Sequence, residues 1–233
     1  MPTPNVISAD VAPKFYDSIS GTYDKYFAQD QGLLDFIKES LEVLPGDAKV
    51  LDIGCGTGIP TSLAVTNSGR TLHGIDISPK MISLSRQNVP RGTFDLVSML
   101  DFTPEEGVKY DGMFIVLSMF HFTREEMGKA IGRWKDWVKG DGEGYIFIGT
   151  IAAEDAVRFE EGMLSDDKRY AENVSGKFMG EMNTYFLYTQ LGWQDVLAEN
   201  GFEIVKEEKA VFEPAEEAEC DREVHLFITA RRV

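Results

Sequence analysis

The sequence is poor in cysteine, in histidine and in positive charge, and each shortage excludes something. Two cysteines, Cys55 and Cys220, are too few for a disulfide framework and are not spaced as metal ligands. The three histidines fall in no His/Asp/Glu grouping with ligand spacing, so no metal site is expected. Lys and Arg number 23 against 39 Asp and Glu, and the resulting net charge of −16 repels phosphate backbones. A nucleic-acid partner is therefore not expected. No run of about 18 apolar residues occurs, so no membrane-spanning helix is expected. Met1 to Asp10 has no basic segment leading into an apolar stretch, so no secretory leader is expected either. With cysteine usage typical of a reducing compartment, the expected location is the cytoplasm.

What is present is enough to fold. Hydrophobic residues make up 43% of 233, which suffices for the core of one domain spanning residues 1–233. Residues 11–44 have helical periodicity: Phe15, Ile19, Tyr23 and Tyr26/Phe27, then Leu33, Ile37, Leu41 and Leu44. Gly21 breaks the first segment and Pro45-Gly46 stops the second. From Lys49 onward, strand-like runs at Val50–Ile53, Leu72–Ile75, Phe94–Val97, Met113–Leu117 and Tyr145–Ile148 alternate with amphipathic segments. Ser78-Pro79 supplies an N-cap, Thr123 with Glu126 a capping box, and Asn200-Gly201 a helix stop. This alternation predicts an α/β fold: a Rossmann-like, mostly parallel sheet with helices on both faces. Phe202–Phe212 and Glu223–Ala230 have no helix between them, which predicts that they pair antiparallel and that an antiparallel edge strand closes the sheet. The acidic stretch Glu203 to Glu223 is expected to be a solvated hairpin surface.

Two features carry chemistry. Val50–Gly58 ends a strand and enters a helix, and glycines at 54, 56 and 58 permit a tight turn and a ligand's close approach. Helix N–H groups at such a turn favour a carboxylate or phosphate. Ile59 stands where a dinucleotide fingerprint needs its third glycine, which argues against that class. Asp76, at the tip of the second strand, can accept hydrogen bonds from both hydroxyls of a ribose, or can act as an acid at the start of the next helix.

Val50–Gly58, Gly74–Ser78, Leu100-Asp101-Phe102 and Phe114–His121 resemble the successive motifs of class I S-adenosylmethionine-dependent methyltransferases. Tyr16-Asp17 and Tyr23-Asp24 resemble the paired tyrosine-aspartate signature of the ubiquinone/menaquinone-type small-molecule subgroup. The resemblance implies a seven-stranded sheet with its last strand antiparallel, and S-adenosylmethionine as cofactor with S-adenosylhomocysteine as product. It also implies cofactor-binding roles for Tyr23, Asp52, Gly54, Cys55, Gly56, Thr57, Gly58, Asp76, Ile77, Met81, Asp101, Phe102, Leu117 and Ser118. Asp52 and the glycines would hold the methionine end, Asp76 the ribose and Asp101 the adenine amino group. Ile77 and Phe102 have plain core packing as an alternative.

His121 lies in the loop beside the expected reaction centre. It can act as general base toward a substrate hydroxyl or amine, or simply shape the pocket. Tyr16, Phe120, His121 and Tyr185 are the expected substrate contacts. Residues 151–187, with Met163, Met179, Met182, Tyr185 and Phe186, form an insertion. The resemblance implies that with the N-terminal helices of 1–44 it makes a small helical cap, a lid over the substrate. Its methionines and aromatic faces suit a small apolar or aromatic molecule; ordinary packing of that cap on the sheet is the alternative. The expected reaction is methyl transfer to O, N or S of a small metabolite. Two alternatives stay open: an RNA or protein methyltransferase, and a cofactor-binding protein that does not methylate.

Overall fold

The computed structural model describes residues 11–233, so the leader expectation for Met1 to Asp10 lies outside the described residues. Three helices come first: α1 (Ala12–Ile19), α2 (Tyr23–Phe27) and α3 (Gln31–Glu42). The break at Gly21 falls between α1 and α2, as its sequence position predicts. Asp30 caps α3 by accepting from the Gly32 amide at 3.0 Å.

The chain then alternates: β1 (Lys49–Ile53), α4 (Thr61–Asn67), β2 (Thr71–Asp76), α5 (Pro79–Asn88), β3 (Thr93–Leu96), β4 (Gly112–Val116), α6 (Arg124–Trp134) and β5 (Tyr145–Ile151). Ser78 caps α5, and Thr123 with Glu126 forms the capping box on α6. The insertion is a two-stranded antiparallel ribbon, β6 (Tyr170–Phe178) and β7 (Glu181–Tyr188), preceded by two short 3-10 turns. The expectation of a helical cap over 151–187 is thereby corrected. Met179 and Gly180 both take positive φ, 50° and 86°, and make the two-residue turn a hairpin needs. After α7 (Gln190–Glu199), β8 (Phe202–Phe212) and β9 (Glu223–Arg232) close the chain.

The sheet order is β3-β2-β1-β4-β5-β9-β8. Six strands run in the same direction, and β9 alone runs antiparallel to them, between β5 and β8. The antiparallel strand is therefore interior, and β8 holds the edge. Charged Lys206, Glu207, Glu208 and Lys209 on β8 discourage pairing with another sheet there. Apolar clusters cover both faces: Met127, Ile131 and Trp134 of α6 with Trp193 and Leu197 of α7 on one, and Leu33, Phe36, Val65 and Ile82 on the other. Strand order reverses between β1 and β4, so the loops after these strands open a crevice at their carboxyl ends.

Candidate active site

Two adjoining cavities occupy that crevice. The first encloses about 1120 Å³, its open mouth included. Its floor is the loop after β1. Gly54 and Cys55 anchor the loop by donating their amides to the Ile75 carbonyl at 2.8 and 3.0 Å. Gly54 has φ +70°, and a Cβ there would lie 2.3 Å from Cβ of Ser118, so only glycine lets β1 and the loop after β4 approach this closely. Gly56, at φ +54°, faces open space within the cavity, which a side chain would fill.

Two acids sit in this wall. Asp52 is 2% exposed and accepts from Ser62 Oγ at 2.6 Å. Burial pushes its carboxyl up to about 7 against the lowering effect of Ser62, and the Asp76 charge adds to the rise. Asp76 accepts from the Gly56 amide at 3.0 Å and the Ser78 amide at 2.8 Å, so it organises the loop and the start of α5 together. Burial raises its carboxyl too, and those amides oppose the rise. Both acids thus lie where a cationic or hydroxyl-bearing ligand would relieve their desolvation.

Of the expected cofactor contacts, Tyr23, Asp52, Gly54, Cys55, Gly56, Asp76, Ile77, Met81, Leu117 and Ser118 all line the first cavity. Thr57 and Gly58 lie behind it. Thr57 Oγ1 donates to Asp24 at 2.5 Å, and a Cβ at Gly58 would meet Val89 at 2.9 Å, so both shape the loop from outside. Asp101 and Phe102 are also away from the cavity. Asp101 is exposed, and the Phe102 ring is buried against His73 and Trp137. The wall at that end is Val97 and Met99 instead. The chain leaves β3 at Leu96 and turns at once, with the Asp101 and Phe102 amides bonded back to the Ser98 carbonyl, which carries both residues past the crevice.

The second cavity, about 790 Å³ with its mouth, is walled by Tyr16, Tyr23, Phe27, Phe120, Phe178 and Tyr185, with His121 and Leu117 at the junction. All four expected substrate contacts line it. Leu117 takes a left-handed backbone, φ 49°, just before the loop that brings Phe120 and His121 to this cavity. Tyr16 OH lies 3.0 Å from His121 Nε2. Burial lifts the phenol of Tyr16 well above its ordinary range, so it stays protonated and donates. The roof comes from three parts of the chain: Phe15 and Phe27 of α1 and α2 both pack on Phe178 of the ribbon, and Phe27 also on Phe212 of β8.

Sequence reasoning missed Asp30, Glu223 and His225 as members of this site. His225 is fully buried, with Nδ1 2.8 Å from Asp30 and Nε2 2.6 Å from Glu223. Asp30 lines the first cavity and Glu223 the second. The reading of 203–223 as solvated surface is corrected at its last residue, because the Glu223 side chain is only 13% exposed. A His two residues after a Glu on a strand was the available signal, since residues i and i+2 share one face.

Comparison with known proteins agrees with this geometry. Residues 50–142 match the methyltransferase domain family. The chain is similar to a trans-aconitate 2-methyltransferase of Delftia acidovorans, 41% identical over 59 residues, covering 25% of this chain and 22% of that protein. It is similar to a demethylmenaquinone methyltransferase of Tropheryma whipplei, 34% identical over 83 residues, covering 34% of each. The matched stretches are thus well under half of either relative. The structure superposes on a 1,6-didemethyltoxoflavin-N1-methyltransferase of Burkholderia thailandensis, solved with bound 1,6-didemethyltoxoflavin and S-adenosylhomocysteine, at a TM-score of 0.68 and 17% identity, covering all of this chain and 92% of that one. Residues 50–142 thus match a methyltransferase domain, and the chain as a whole has the fold of S-adenosylmethionine-dependent methyltransferases.

Proposed function

We propose that the protein transfers a methyl group from S-adenosylmethionine to oxygen, nitrogen or sulfur of a small molecule. The observation that carries this reading is the pair of joined cavities, one built on a glycine loop with two strand-end acids, the other aromatic. The residues present fit the cofactor. Gly56 leaves a cradle that a Cβ would fill, and Asp52 and Asp76 are desolvated acids facing the same space. Asp52 and the loop would hold the methionine end, and Asp76 the ribose. Ile77, Met81, Val97 and Met99 supply apolar walls for a flat base. The bound cofactor supplies an electrophilic methyl on a sulfonium, and the organic chemistry is its own.

The chain's residues position and exclude. α1, α2 and the ribbon form a lid that keeps water from the junction, where orientation alone can contribute roughly 7–11 kcal/mol. Two latches hold the lid to the cofactor wall: Asp24 with Thr57 at 2.5 Å, and Asp17 with Ser78 at 2.5 Å. At the junction, His121 serves as general base through Tyr16. The phenol passes its proton to Nε2 as it accepts one from the acceptor's hydroxyl or N–H. The cationic end of the cofactor suits the excess of carboxylates around it, and a small enclosed acceptor cavity favours a metabolite over RNA or a folded protein.

Incubation with tritiated S-adenosylmethionine and fractionated extract tests the reading. Label in small organic molecules supports it. Label in polymer points to RNA or protein acceptors, and tight cofactor binding without any label points to a protein that does not methylate.

A further inference from the structure

The charged groups around the second cavity are almost all matched among the described residues. Asp155 pairs with Lys209 at 2.6 Å, Asp221 with Arg158, Lys177 with Glu219 at 3.2 Å and Arg222 with Glu213 at 3.4 Å. Glu223 differs. Its partner is His225, which it shares with Asp30. Two carboxylates on one imidazole leave at least one net negative charge whether the ring is protonated or not. That excess charge reaches the cavity through Glu223, because Asp30 faces the other chamber and spends one oxygen on the α3 amide of Gly32.

The surroundings of Glu223 are aromatic. After burial itself, its negative charge is among the influences that raise the phenols of Tyr16, Tyr23 and Tyr185, which places the carboxylate within electrostatic reach of all three. Ring faces and a nearby carboxylate are together the chemistry that recognises an organic cation, the rings by their quadrupoles and the acid by its charge. An anionic ligand would meet the opposite: desolvation against an uncompensated negative charge.

We propose that the methyl acceptor is a small aromatic molecule bearing a positively charged nitrogen, and that Glu223, held in place by His225 and Asp30, is the residue that selects it. The proposal rests on the methyltransferase reading above. His225 and Asp30 act through Glu223 as positioning residues.

The test uses one phenyl ring with three tails: phenethylamine, phenylethanol and hydrocinnamate, titrated into the protein by calorimetry. S-adenosylhomocysteine is titrated separately, and its failure to bind would count against the methyltransferase reading itself. With or without it, wild-type protein is expected to bind phenethylamine at least about tenfold more tightly than phenylethanol. Hydrocinnamate is expected to bind most weakly. Glu223→Gln is expected to bring the amine level with the alcohol while S-adenosylhomocysteine binding is unchanged. Equal or better binding of the carboxylate by wild type, binding of none of the three, or an amine preference that survives in Glu223→Gln overturns the proposal. The wild-type ranking decides the matter even where the variant fails to fold.

Discussion

The phenol of Tyr16 on α1 lies 3.0 Å from Nε2 of His121 in the loop after β4, at the point where the two cavities meet. The pair links α1 to the loop after β4 and, on the proposed function, gives a proton a place to go. Removing either member should slow turnover by about 10²–10⁴-fold if general base catalysis is its role. Tyr16→Phe and His121→Ala should leave the affinity for S-adenosylhomocysteine within about threefold of wild type. Wild-type turnover of His121→Ala across neutral to alkaline pH would remove the role.

Asp76 ties the glycine loop to α5 through two amides and faces the first cavity. Asp76→Ala loses charge-assisted hydrogen bonds worth about 1.5–3 kcal/mol each. Calorimetry should show affinity for S-adenosylhomocysteine falling at least about tenfold. Unchanged affinity would refute the ribose assignment.

Asp17 and Asp24 latch the first two helices to Ser78 and Thr57. Asp17→Ala combined with Asp24→Ala should free this segment, with roughly 1 kcal/mol lost per hydrogen bond. Faster hydrogen exchange across α1 and α2, with β1 to β5 unaffected, is the expected signature. Equal exchange in variant and wild type would show that apolar packing alone holds the lid.

His225 links stability to pH. Burial alone would lower its pKa, but hydrogen bonds to Asp30 and Glu223 outweigh that and hold it up at about 9. A folded pKa above the unfolded value of about 6.5 means the contribution, on the order of 3 kcal/mol, is complete below pH 6.5. It is lost as pH rises through 9. The melting temperature of wild type should therefore fall across that interval. His225→Gln should melt lower at acidic and neutral pH and show a flatter slope. Parallel curves for the two proteins would show that His225 is neutral in the fold.

The sheet was legible because its signals are local: each strand is an apolar run bounded by a cap or a glycine, and Ser78, Thr123 and Asn200-Gly201 do what their chemistry predicts. The wall of the first cavity was legible for the same reason, since Gly54 to Gly56 and Asp76 act through backbone geometry at a strand end. Asp101 lies outside the first cavity because its distance from the crevice depends on where β3 stops, and the turn after β3 leaves Val97 and Met99 in the wall. The ribbon failed because a Met-Gly pair rarely announces a hairpin; Met179 must adopt a left-handed backbone that Asn or Gly would take more readily. Glu223 and Asp30 meet across nearly the whole length of the chain on His225, a relationship that local pattern does not carry.

Tyr16, Tyr23 and Phe27 belong to the walls of both cavities at once. A ligand that settles these rings from one side leaves less ordering to be done by a ligand arriving from the other. On the proposed function, cofactor and acceptor would be thermodynamically coupled through these rings, and the factor by which one tightens the other would be the same in either order of addition. Shared walls would then make the two cavities a single two-ligand device rather than two neighbouring sites.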